Sequence, residues 1–459
     1  MQSHSASPQQ VLFIASRSDI AGGEIYLLDV FRHLDRSRFA PVVVVPEAGP
    51  LSEKLEALGI ECFISAVNYG WLKPPLPWYR FLEGLPERVR MLCEEMRARN
   101  ISLVHTNSNM ILEGALAAKL AGLHHVHVVH IPFQANLPIF QRLPLAPASF
   151  AQLMGDLSTR MIAVAEPVAQ SISPPVPREK IRVIHNGIEL SNYAGARERA
   201  DGAFRRELGI PATAPLVTGV GRLHPDKGFE YFVEAAAVVR QSLPDAHFVI
   251  AGAGDSPQYE KALRARISAV GLAGHMHLTG FRDDIPAILA ESDVFALTSR
   301  SEGGPYVLVE AMACGCACVA SRCGGFVEYV VKPGETGYLV DYGDAVTLAA
   351  RLVELLRDAD LRTRFVQSAY RIVFSGEFEV RNSVAKLMDV YQETLSLPSP
   401  LPGAYPVDLL LQAATEIGGL GQRLTLLEER MKKTERAAEL LLDNPLMRLL
   451  RKLMKRSGG

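Results

Sequence analysis

In the stretch SRSEGGPYVLVEAMACG (299–315), two carboxylates stand with seven residues between them. Glu302 sits beside Gly303, Gly304 and Pro305, and Glu310 interrupts an apolar run. A buried carboxylate needs hydrogen-bond donors, and the paired hydroxyls of a sugar or a ribose supply them. Pro305 fits the first position of a helix, where its fixed φ helps and its missing N–H costs nothing. Glu302 then lies just ahead of that helix and Glu310 about one and a half turns inside it. One glutamate is expected to hold a hexose and the other a ribose, with glycine N–H groups between them facing phosphate. The competing reading pairs Glu310 with an arginine as part of the scaffold.

A second group of residues is GRLHPDKG (221–228), which follows the apolar run LVTGV. Arg222 and Lys227 stand five positions apart, with Pro225 and Gly228 shaping the turn. Two cations at the mouth of a strand, just before a helix, suit a diphosphate and neutralise charge developing on a leaving group. A solvated basic loop is the plainer alternative. In SRSDIAGGE (16–24), Gly22 and Gly23 open a helix where bare N–H groups can approach an anion, although a tight turn explains them equally well. Cys314, Cys316 and Cys318, with Cys323 nearby, lack the two-residue gap of a zinc site, and alternate positions on a strand cannot close a tetrahedron. They read as small buried residues in a helix-to-strand corner.

Such loops must be positioned by strands. VLFIA (11–15), PVVVV (41–45) and SLVHT (102–106) read as buried parallel strands, with the amphipathic EIYLLDVFRHL (24–34) between the first two. A second series follows at 160–165, 216–222, 247–254, 275–280, 293–299 and 316–321. This alternation predicts an α/β protein with two doubly wound domains facing a central cleft, into which the strand-to-helix loops project. SPPVPREK (173–180) and HNGIEL (185–190) mark the join. The expected domains are 1–188, 189–375, a return helix over 376–396 that packs on the first domain, and a linker with a helical tail over 397–459.

Composition narrows the class of function. The 459 residues are 48% hydrophobic and 21% charged, with a net charge of -2, which supplies no general field for nucleic acid. MQSHSASPQQ lacks a basic n-region, and no apolar stretch reaches the length of a bilayer span. Six cysteines in a chain this long fit a reducing, cytoplasmic setting.

AGGE (21–24), VVHIP (128–132), IAVAE (162–166), VIHNGIE (183–189), GRLHPDKG and the two glutamates occur together in order. With them the chain resembles the retaining glycosyltransferases of the GT-B fold, and more narrowly glycosyltransferase family 4 (glycosyl transferases group 1), over roughly residues 10–396. The resemblance implies a nucleotide-sugar donor held by the C-terminal domain and a glycan or lipid-linked acceptor held by the N-terminal one. It implies that Arg222 and Lys227 bind the donor diphosphate, Glu302 the transferred hexose and Glu310 the ribose. Gly22, Gly23, Gly221, Gly303, Gly304 and Pro305 would line the donor site, His130 would lie near the reacting sugar, and Phe281 and Arg282 would border the base. The implied chemistry retains anomeric configuration without a protein nucleophile and without a metal; Asp283 and Asp284 read as loop and helix-cap residues. The chain departs from the family pattern at Cys316–Ala317 and at Phe326, both expected to alter pocket shape. The rival expectations are a catalytically silent glycan- or nucleotide-binding protein and a GT-B sugar-nucleotide epimerase.

Beyond the resemblance, Leu410, Ala413, Ile417, Leu420, Leu424, Leu427, Met431, Thr434, Ala438 and Leu441 recur by threes and fours. This predicts either self-association through 410–441, weakened early by Gly418, Gly419 and Gly421, or a helix folded back on the enzyme. PLMRLLRKLMKR (445–456) reads as a basic amphipathic helix suited to an anionic membrane surface, so that the protein would sit peripherally at the inner face of the cytoplasmic membrane.

Overall fold

The computed structural model describes residues 7–65, 67, 82, 84–135, 137–141, 145–254, 257–402 and 407–442. The basic segment 445–456 lies outside these residues. Seven strands form the first sheet: β1 (Gln9–Ala15), β2 (Phe39–Val45), β3 (Glu61–Ile64), β4 (Leu103–Asn107), β5 (His124–Val129), β6 (Arg160–Ala163) and β7 (Ile181–Val183), in the order β3-β2-β1-β4-β5-β6-β7. Six form the second: β8 (Leu216–Val220), β9 (His247–Ala251), β10 (Met276–Gly280), β11 (Val294–Leu297), β12 (Ala317–Ser321) and β13 (Gly337–Val340), in the order β10-β9-β8-β11-β12-β13. The pairings in both sheets are parallel. Helices cover both faces, so central strands such as β1 and β2 read as continuous apolar runs. In each sheet the strand order reverses beside its first strand, between β1 and β4 and between β8 and β11. A crevice opens there beyond the carboxyl ends. These are two doubly wound, Rossmann-like domains.

Several strands left little trace in the periodicity. β5, HHVHVV, carries three histidines, yet all six of its residues are buried. Burial pushes His127 down to about 4, so its ring stays neutral. β7 is only three residues long, and β3 is a partly exposed edge.

The chain crosses between the sheets twice, side by side. The Ile188 N–H donates to the Phe378 carbonyl at 2.8 Å, and the Val380 N–H donates back to the Ile188 carbonyl at 3.0 Å. Gly187 permits this approach, because a Cβ there would fall 2.4 Å from the Val380 Cα. His185 stacks on Tyr329 with centroids 5.2 Å apart, and Phe326 and Phe378 close around it. Phe326, expected to reshape the ligand pocket, is instead buried in this crossing, where an aromatic side chain fills the space around His185. The return helix Val380–Leu395 then docks on the first domain. Its Tyr391 is fully buried with the hydroxyl 2.7 Å from His105 Nδ1, and Glu393 pairs with Arg160 and Arg182.

The tail helix Val407–Leu442 has 36 residues. Its first part packs on helices Leu85–Ala98 and Glu113–Ala121, burying Val407, Ala414, Gly418 and Gly421. Gly418 and Gly421, which weaken a free helix, lie on this buried side. Residues 426–434 are all exposed. One helix is therefore folded back at its start and exposed over 426–434.

Candidate active site

The C-terminal side of the cleft is built by two adjacent loops. After β8, the chain turns through Gly221–Gly228, pressed against the loop after β9 so tightly that a Cβ on Gly252 would fall 1.9 Å from the Gly221 carbonyl oxygen. Arg222 is exposed at the start of this loop, and Lys227 ends a short 3-10 turn, Pro225–Lys227. After β11, Thr298 Oγ1 donates to the Lys227 carbonyl at 2.8 Å, and the Arg300 N–H donates to the Asp226 carbonyl at 2.8 Å, locking the two loops together. Lys227 Nζ consequently reaches Glu302 Oε1 at 2.6 Å, and Ser299 Oγ donates to the same oxygen at 2.6 Å. Both contacts fall on Oε1, which leaves Oε2 to accept from a ligand hydroxyl.

Glu302 leads through Gly303 and Gly304 to helix Tyr306–Ala313, for which Pro305 is the N-cap rather than the first helical residue. Its ψ of 108 is extended, so the helix starts one residue later than the sequence implied. A Cβ on Gly303 would lie 1.4 Å from the His130 carbonyl oxygen. Only glycine allows this contact, which joins the loop after β11 to the loop after β5 and makes the two carboxyl edges face each other.

The N-terminal side is held by amides. His130 Nε2 stands 2.7 Å from Asn107 Oδ1, and Asn107 Nδ2 donates to the Gly23 carbonyl at 2.8 Å. Asn109 Oδ1 accepts from the His130 N–H at 2.7 Å. Burial holds the His130 imidazole down at about 4, so at neutral pH it carries one proton. Placing that proton on Nε2, toward Asn107, leaves Nδ1 as an acceptor. Gly22 opens helix Gly22–His33 behind Ala21, whose N–H donates to Glu24 Oε2 at 3.2 Å, so Glu24 caps its own helix. Burial raises the Glu24 carboxyl to about 7.

Glu310 has a tyrosine for its partner, where the alternative reading gave it an arginine. The Tyr193 hydroxyl donates to Glu310 Oε1 at 2.8 Å. Burial raises its carboxyl to about 7, against the Tyr193 hydrogen bond and with a further push from Asp29. Phe281 is 80% exposed beyond the end of β10. Arg282 is engaged by Glu207 at 2.6 Å and by Asp284 at 2.6 Å. Asp284 precedes helix Ile285–Ala290 but makes no side-chain cap, because its carboxylate goes to Arg282. Cys314, Cys316, Cys318 and Cys323 are buried free thiols; Cys314 and Cys316 donate to backbone carbonyls of Pro286 and Leu289.

Sequence reasoning missed Asn107, Asn109, Ser299, Tyr193 and Asp29. Asn107 and Asn109 end the strand LVHTN and begin its loop, the same position after a strand that singled out Arg222, so that signal was available. Tyr193 and Asp29 act across large separations and carry no local pattern.

A family model described as Glycosyltransferase Family 4 matches residues 20–192, and one described as Glycosyl transferases group 1 matches residues 201–372. The chain is 28% identical over 380 residues to the Escherichia coli UDP-Gal:alpha-D-GlcNAc-diphosphoundecaprenol alpha-1,3-galactosyltransferase, covering 81% of this chain and 94% of that protein. It is 27% identical over 416 residues to the D-inositol 3-phosphate glycosyltransferase of Salinispora arenicola, covering 83% and 89%. Among solved structures, Anabaena HepE in complex with UDP and glucose matches with a TM-score of 0.70 at 23% identity, covering 85% of this chain and 100% of that one.

Proposed function

Because this chain belongs to the family 4, group 1 glycosyltransferases of the GT-B fold, we propose that it moves a hexose-type sugar from a nucleotide-sugar donor to a lipid-linked or glycan acceptor with retention of anomeric configuration. The observation that carries this reading is the Lys227–Glu302 pair, held at 2.6 Å where the loops of the two domains meet. One member brings positive charge for a diphosphate; the other brings a carboxylate oxygen for sugar hydroxyls. The lipid-diphosphate acceptor in the name of the Escherichia coli relative supports the acceptor class.

In the proposed reaction the anomeric carbon's bond to the diphosphate oxygen breaks while the acceptor oxygen bonds on the same face. The acceptor's proton passes to the departing diphosphate. Lys227 and Arg222 stabilise the charge that develops there. Glu302 fixes the sugar through Oε2, the neutral His130 accepts a hydrogen bond from it through Nδ1, and Glu310 holds the ribose. In this proposal Lys227 and Arg222 supply the charge that a divalent ion brings in metal-dependent transferases. EDTA is therefore expected to leave the rate intact, and complete loss restored by magnesium or manganese would overturn this part.

The test of the whole reading is a panel of UDP-, GDP- and ADP-sugars, screened by thermal shift, since a bound ligand stabilises the native state. Transfer to a lipid-diphosphate acceptor follows, with the anomeric configuration of the product read by NMR. Inversion, or epimerisation without transfer, rejects it. We place the enzyme at an anionic membrane surface through 445–456, which has five positive charges and no negative one. No helix among the described residues is long and apolar enough to cross a membrane. Truncation after Leu442, which spares the docked part of the tail helix, is expected to release the protein from anionic liposomes; unchanged sedimentation rejects the tether.

A further inference from the structure

The tail helix carries two stripes on different faces. Val407, Leu411, Ala414, Gly418 and Gly421 step by fours and threes along the side seated on the body, with Leu411 half-buried. The second stripe, Ile417, Leu420, Leu424, Leu427, Met431, Thr434, Ala438 and Leu441, alternates steps of three and four over more than three heptads. In this second stripe Leu420, Leu427 and Met431 are 57%, 54% and 62% exposed. Over residues 426–434 about 13 Å of helix, at 1.5 Å per residue, lies exposed. An isolated helix that short is marginal in water, and packing of an apolar face is what normally stabilises it.

Charge selects what covers this face. With Ile417 written as position a, Arg423 and Arg430 take g positions, and Glu428 and Glu435 take e positions. In a parallel, in-register pair, g of one helix meets e of the next heptad on the other. That sets Arg423 against Glu428 and Arg430 against Glu435, each twice by symmetry. An antiparallel pair brings g to g and e to e, opposing arginine to arginine and glutamate to glutamate. We propose that a second copy of this chain covers the stripe, forming a parallel two-stranded coiled coil from Leu420 to Leu441. The two catalytic units then hang from one stem, and both chains continue past Leu442 at the same end.

Sedimentation velocity on the full chain across the micromolar range tests this. The expected result is a concentration-dependent monomer–dimer equilibrium. The double variant Leu420→Glu, Leu427→Glu is expected to be monomeric, with unchanged thermal unfolding and transfer activity, because both side chains are exposed on the single chain. Glu428→Arg is expected to weaken the dimer at least tenfold, and Arg423→Glu added to it to restore the affinity. For orientation, Leu427→Cys is expected to oxidise to a dimer linked 427 to 427, a pairing that only the parallel register brings within disulfide reach; wild type serves as the control for the native thiols. A wild type that stays monomeric overturns the proposal. So does a dimer indifferent to the Leu420 and Leu427 changes, a dimer that gives no 427 cross-link, or a trimer.

Discussion

The two lips of the cleft are made of different chemistry. The C-terminal lip is ionic: Lys227 and Glu302 in contact, with Arg222 at the head of the same loop. The N-terminal lip is neutral: an imidazole held uncharged by burial, two asparagine amides and the backbone of Gly23. A nucleoside diphosphate arrives charged and leaves with more charge, so the side that takes it needs compensating ions. An acceptor hydroxyl arrives neutral and needs placement, which fixed hydrogen bonds supply without a desolvation cost for buried charge. On the proposed reaction, the contrast gives charge stabilisation to one lip and orientation to the other.

The largest effect is expected on the ionic lip. Lys227→Ala should lower turnover by roughly a hundredfold to a thousandfold, about 3–4 kcal/mol, the scale of losing one preorganised charge-stabilising group. Glu302→Ala should fall in the same range. Because the two side chains touch, the double variant should lose much less than the sum. Additive losses, measured as kcat under saturating donor, would mean that the pair seen here does not act as a unit.

A smaller effect is expected on the neutral lip. Asn107→Ala removes the amide that ties His130 to Gly23 and should lower turnover about tenfold, in keeping with one or two lost neutral hydrogen bonds of about 1 kcal/mol each. Donor affinity, measured by calorimetry, should stay unchanged. An equal loss of donor affinity would erase the division between the lips.

The same contrast explains what was legible in the sequence. Ionic chemistry on a loop after a strand announces itself, because Arg222, Lys227, Glu302 and Glu310 are charged residues in short motifs where the surroundings are apolar. Strands such as VLFIA and PVVVV were equally plain, since burial on both faces leaves only apolar residues. The neutral lip was legible only through His130 and the glycine pair Gly22–Gly23. Asn107 reaches Gly23 across 84 positions, and an asparagine after a strand looks like any turn residue. β5 was hidden for a related reason: its histidines pattern as polar, and only the fold shows them buried and neutral. Tyr193 joins Glu310 across 117 positions, a contact that depends on how the linker passes the second domain.

The finest test of the contrast is by pH, at Glu310, proposed to hold the ribose. The Glu310 carboxyl is raised to about 7 chiefly by burial, from an ordinary value of 4.5. Between those values the folded chain keeps a proton that the unfolded chain has lost, so stability from this group falls as pH rises through the window and is fully lost above about 7. Glu310→Gln keeps the neutral shape and cannot ionise. Its melting temperature relative to wild type should therefore climb from pH 5.5 to pH 8. The difference isolates Glu310, because Glu24, raised in the same way, and His105, His127 and His130, all depressed by burial, are present in both proteins. Binding should run the opposite way. Ribose hydroxyls donate to a carboxylate better than to a carboxylic acid, so wild-type affinity for the nucleotide-sugar should rise severalfold from pH 6 to pH 8. Glu310→Gln should bind more weakly with no such slope. A pH-independent difference in melting temperature would show that the carboxyl is already ionised in the folded chain. A wild-type slope that survives in Glu310→Gln would remove the ribose from this residue and leave the ionic lip to Lys227, Glu302 and Arg222.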